Sequence, residues 1–156
     1  MEYWSWVGQV IETAFVVVLA PFAIWQLKLQ VKATKDQTRA TRIQNFATII
    51  SWVQAEDIRQ SRGLLFDLEK KQKISTLPID RWDEEWKQAA DRVSQCLNSA
   101  AMIAQQDSRL ESMWVVPARD MILRSWTIAQ PRIRERRKEE GDIWKEFDWL
   151  ASKVKG

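Results

Sequence analysis

"WSWVGQVIETAFVVVLAPFAIWQLKLQVK", Trp4 to Lys32, is the stretch on which the architecture turns. From Trp4 to Leu27 it holds a single formal charge, Glu12. As a helix rising about 1.5 Å per residue, this segment reaches roughly 36 Å, against roughly 30 Å of bilayer hydrocarbon. Tyr3, Trp4 and Trp6 mark one end and Trp25 the other, as interfacial aromatic belts do. Lys28, Lys32, Lys35, Arg39 and Arg42 follow at once against Asp36 alone, and no Lys or Arg precedes the segment. The positive-inside bias then sets the N-terminus outside and the remainder in the cytoplasm. No basic region leads the apolar run and no A-x-A site follows it, so it does not read as a cleaved signal peptide. The expectation is a single-pass helix over residues 1–27, in a cell inner membrane.

Within this segment the polar residues share a face. Steps of three and four give Ser5, Gln9, Glu12, Val16, Leu19, Ala23 and Gln26, while Phe15, Val17, Val18, Phe22 and Ile24 fall elsewhere. Hydrocarbon satisfies neither Gln9 nor Glu12, so the stripe calls for water or another helix. Two readings stand. Glu12 snorkels to the outer interface, or the stripe of Ser5, Gln9, Glu12 and Gln26 faces sister copies in a homo-oligomer, where a ring of Glu12 would favour cations. Pro21 removes one helical hydrogen bond and is either a tolerated kink or a hinge.

Outward from the segment, residues 28–42 contain helix formers without a consistent apolar face. They read as a basic juxtamembrane stalk beside anionic headgroups rather than a contact for duplex nucleic acid. From Ile43 a period near 3.6 appears, with Ile43, Phe46, Ile50 and Val53 on one face, Ile49 beside them, and Ile58, Leu65 and Leu68 beyond. Pro78 and then Asp80, a candidate N-cap, introduce a helix buried along Trp82, Trp86, Ala89, Val93, Cys96 or Leu97, Ala100 and Ile103. Pro117 suits the first turn of the next helix, which Gln130-Pro131 is expected to break. A charged helix then ends at Gly141, and Asp142 opens a last one along Ile143, Phe147, Leu150 and Val154. No segment alternates over strand length. The prediction is all-α: a transmembrane helix, a stalk, and a domain of about five helices over residues 43–156.

Composition narrows the chemistry. The chain of 156 residues has no histidine, one cysteine and four glycines, with a net charge of +3. The usual general base, most zinc and iron sites and an intrachain disulfide are absent with those residues. The glycines are too scattered for a phosphate-cradling loop. Asp83, Glu84 and Glu85 complement a helix N-terminus and carry no catalytic spacing. The expectation is a protein that is not an enzyme, without metal or cofactor, in which Cys96 is a small core residue.

Arginines offer the one candidate site. Arg132, Arg134, Arg136, Arg137 and Lys138 alternate with Glu135, Glu139 and Glu140. The run is either a solvated face laced with ion pairs or part of an anion site. In the second case Arg132 and Arg136 share a face and Arg119 and Arg124 converge with them on phosphate oxygens. Arg92 beside Asp91 reads as a structural ion pair.

The runs "EDIRQSRGLLFDL", "WKQAADRVSQCLNSAAMI" and "ILRSWTIAQPRIRERRKEEGDIWKEFDWLA" carry a resemblance. Through Arg59 to Leu68, Ala90 to Val93, Trp126 with Pro131, Arg136-Arg137 and Phe147 to Leu150, the chain resembles a bacterial domain-of-unknown-function family. Its members are small proteins with an N-terminal membrane helix and a helical cytoplasmic domain. The resemblance covers most of residues 56–151; it implies fold and topology and names no chemistry. Small membrane proteins of bacterial antiphage systems share the plan, and some respond to cyclic oligonucleotides. Two functions follow as expectations. One is an oligomeric sensor/effector whose helical domain binds an anionic ligand, such as a cyclic oligonucleotide, or a protein partner and alters the membrane segment. The other is a membrane-tethered protein-interaction scaffold without pore activity.

Overall fold

A computed structural model describes the backbone from Glu2 to Lys155 and the side chains from Phe22 to Lys155. Its regular elements are all helical, with no strand among the described residues: α1 (Glu2–Gln54), α2 (Glu56–Gln72), α3 (Glu84–Ala104), the short α4 (Ser108–Leu110), α5 (Arg119–Glu140) and α6 (Lys145–Lys155). Residues Met1–Thr41 and Arg42–Gly156 form separate units. In the first, every described side chain from Phe22 to Thr41 is exposed, including Phe22, Trp25, Leu27 and Leu29. Among the described residues, no helix is long and apolar enough to cross a membrane. Most of the expected span, with Ser5, Gln9 and Glu12, lies outside the described side chains; Gln26 lies within them and is exposed.

The second unit packs around α3. Its Ala89, Ala90, Val93, Leu97, Ala100, Ala101 and Ala104 are buried, and α2, α5 and α6 pack against it. The small side chains on this helix let its neighbours approach closely, and Leu65, Ile122, Ile128, Ile133, Phe147 and Leu150 fill the space between. The C-terminal turns of α1 add Ile49 and Val53. Ile43, expected on the same face, is 58% exposed, because the buried stripe of α1 begins a turn later than its apolar pattern does.

Four boundaries differ from those expected. The helix α5 runs unbroken through Pro131. Proline inside a helix costs about 3 kcal/mol, and burial of Ile128 and Ala129 before it and Ile133 after it outweighs that loss. Asp80 lies in a single 3-10 turn, Ile79–Arg81, and Asp83 takes the N-cap position of α3. Buried Trp82 anchors the link between the two, which delays the helix by a turn. Pro117 falls ahead of α5 rather than in its first turn, because a π-helical turn at Glu111–Val115 occupies the approach. That turn buries Trp114 and Val115. Asp142 sits in the turn before α6, not at its start.

The α5–α6 turn is pinned from several sides. Gly141 ends α5 as expected, its N–H donating to the Arg137 carbonyl at 3.1 Å. Arg137 Nε donates to the Ile143 carbonyl at 2.9 Å, and its Nη1 meets Asp148 at 2.9 Å. The Phe147 N–H in the first turn of α6 is shared between the Trp144 carbonyl at 3.1 Å and Oδ1 of buried Asn98 of α3 at 3.2 Å, which ties α6 to α3. Gly141 has φ 78 and ψ −147, a region nearly closed to other residues, and an added Cβ would meet nothing within 4 Å. The cost of Gly141→Ala is therefore torsional, about 1–3 kcal/mol, and should appear as a lower urea midpoint with an unchanged slope.

Candidate functional site

A groove of about 620 Å³ in the Arg42–Gly156 unit lies between the end of α1, the start of α2, one flank of α3 and the α5–α6 turn. Trp52 of α1 and Trp144 of the turn stand on its walls, with Ile58 and Cys96 between them and Asp57, Arg92, Gln95 and Arg136 around them. Trp52 is exposed because it faces the groove while its neighbour Val53 enters the core. Arg62 Nη1 donates to the Val53 carbonyl at 3.1 Å and closes the C-terminal end of α1 beside the groove.

Trp144 takes φ 53, an uncommon backbone state for so bulky a side chain. Its indole Nε1 donates to Gln95 Oε1 at 2.8 Å, and this bond, with the pinned turn around it, holds the residue in place. Such a conformation costs of order 1–3 kcal/mol and persists only where the surroundings over-determine it.

Cys96 is buried in the groove wall. Burial pushes its thiol up to about 11, Arg62 pulling the other way and Asp57 adding to the rise. The group stays a thiol at neutral pH and lines the groove as a small apolar surface. No cluster of three or more His, Cys, Asp or Glu capable of holding a metal occurs among the described residues.

The arginines expected to converge are engaged at separate places. Arg132 grips Asp91 of α3 with both prongs, at 2.9 and 2.8 Å, and also meets Glu135. The Asp91 bond, above the opposing effect of burial, and then Glu135 hold its proton more firmly than usual. Arg124 lies over the Phe66 ring, 4.3 Å from its centroid, and donates to the Phe66 carbonyl at 3.2 Å. Arg119 borders a second hollow with Ser108, Ser112 and the Lys153–Glu111 pair. Arg136 pairs with Glu140 at 2.6 Å, and of the four it alone lines the groove. Its buried Nε has no hydrogen-bond partner among the described residues.

Arg92 reverses its expected role. Asp91 pairs with Arg132, so Arg92 is left with no ion-pair partner among the described residues. The sequence carried a signal for this exchange: Asp91 and Arg92 are adjacent and so point to different sides of α3, and residues three or four apart, not one, face each other on a helix. Trp52, Trp144 and Asp57 had no comparable signal, since three separate elements bring them to one place.

Comparison of the chain with protein-family models, with curated proteins and with solved structures finds no match.

Proposed function

We propose that the chain is a non-catalytic, membrane-anchored sensor/effector that works as a homo-oligomer. In this reading the helical unit takes up an anionic ligand, a cyclic oligonucleotide being one such, or a partner protein. The response then passes along α1 to the polar-striped segment, whose apolar flanks lie against the bilayer. The observation that carries the reading is the extent of α1. The helix that includes the apolar stretch Trp4–Leu27 also supplies Ile49 and Val53 to the core and Trp52 to the groove. A change at the groove thus acts on a residue of the same helix that carries Gln9 and Glu12. The architecture of small bacterial membrane proteins, the antiphage ones among them, supports the same assignment by analogy.

The test is membrane leak. Overexpression of the chain should depolarise cells, and Gln9→Leu with Glu12→Leu should abolish the leak while the protein still reaches the membrane, because leucine removes the groups that hold water in the stripe. Leak that persists in the double variant would refute a pore lined by this stripe.

A tethered scaffold is the second reading. It is favoured by the exposed Ile43, Trp52, Met102, Met113 and Val116 on the helical unit, surfaces that suit protein contact. Under it the double leucine variant keeps full activity and no leak occurs at any expression level.

A further inference from the structure

We propose that the groove walled by Trp52 and Trp144 binds a flat-ringed small molecule that carries an oxyanion and an N–H donor. The inference rests on the reading of the helical unit as a ligand sensor and deepens it by giving the site and the ligand's chemistry.

Size and lining select the class. A volume of about 620 Å³ falls within the range of small-molecule sites, about 300–1,000 Å³. The two indoles offer extended faces and edges to a planar ring. Between them Ile58 and the protonated Cys96 present apolar surface.

The charges select the functional groups. Asp91 is committed to Arg132, and Arg136 gives one prong to Glu140. Two charged groups on the lining remain without an ion pair or side-chain hydrogen bond among the described residues: the Arg92 guanidinium and the Asp57 carboxylate. A guanidinium fork calls for an oxyanion, and a carboxylate accepts from an N–H. Trp144 stands on the groove wall in a left-handed backbone state and bonded to Gln95, so this turn holds an aromatic wall ready for the ring.

Two kinds of compound share this chemistry. A nucleoside monophosphate supplies a phosphate and an exocyclic amine. An aromatic amino acid supplies a carboxylate and an ammonium.

Calorimetric titration of the full chain in detergent tests the proposal, with AMP, GMP and L-tryptophan as probes. Adenosine, guanosine and tryptamine serve as the analogues that lack the oxyanion. At least one probe should saturate, and its analogue should bind about tenfold more weakly or worse. Saturation by a nucleotide and not by L-tryptophan, or the reverse, identifies the source. Arg92→Ala should abolish the preference for the charged compound, and Asp57→Asn should weaken the charged compound and its analogue alike. Both side chains are exposed, so an unchanged melting temperature will show that the fold is intact. If none of the three probes saturates, or if Arg92→Ala leaves the preference in place, the proposal is overturned. That outcome leaves the leak and its dependence on Gln9 and Glu12 untouched, so the two readings fail separately.

Discussion

Phe147→Ala should remove about 3–5 kcal/mol of stability, the largest loss expected from any single truncation in the helical unit. Phe147 is fully buried and is the largest of the fully buried side chains. It stands edge-on to Trp126, with ring centroids 5.2 Å apart and planes at 84°. The variant therefore forfeits the transfer energy of the ring, leaves a cavity that α3 and α5 only partly fill, and loses an aromatic pair worth about 0.5–1.5 kcal/mol. Against a typical total of about 5–15 kcal/mol, such a loss leaves little margin. Urea unfolding followed by near-ultraviolet circular dichroism measures it directly. Phe147→Leu should recover more than half of the loss, and exposed Lys145→Ala should stay within about 0.5 kcal/mol of the parent. If Phe147→Ala costs no more than the lysine control, α6 is not part of the core.

Arg132→Ala should cost about 3 kcal/mol, at the lower end of the range for breaking a buried ion pair. The Arg132 side chain is 12% exposed, and those of Asp91 and Glu135 are each 27% exposed. Truncation strands two carboxylates, one of them on a neighbouring helix, and partial access to water limits the loss. Arg132→Lys should restore only part of it, because an ammonium keeps the charge and loses the two-pronged contact with Asp91. The pair also sets α5 against α3, with Asp91 on the border of the groove. The sharper check is a double-mutant cycle with Asp91→Ala by urea unfolding. A coupling energy well below about 0.5 kcal/mol would show that the two residues stabilise independently and that Arg132 does not hold α5 in place.

What the sequence made legible was local. The buried face of α3 through Ala89, Val93, Leu97 and Ala100 and that of α6 through Phe147, Leu150 and Val154 follow from spacing alone, since a period of 3.6 puts those residues in one row. Gly141 was readable as a helix end for a different local reason, because a position of positive φ selects glycine. The break expected at Pro131 failed because a local steric rule was weighed without the core on either side of it. The candidate site was less legible still. Arg136 was singled out, yet the groove it borders depends on Trp52, Asp57, Arg92 and Trp144, which the chain brings together only through helix packing. Arg132 was picked out by the right pattern for another job: its partner Asp91 is 41 positions away, and no periodic argument links them.

The π turn at Glu111–Val115 has a consequence for how this chain can vary. Trp114 and Val115 are consecutive and both buried. In an α-helix, consecutive side chains diverge by about 100°, and the wider i→i+5 winding narrows that angle. Deleting one residue here would restore the tighter coil, swing one of the two outward and rotate the phase at which α5 leaves. Replacing exposed Ser112 or Met113 leaves that phase alone. Length is therefore held more strictly than identity at this point of the chain, and insertions or deletions should be rarer there than substitutions.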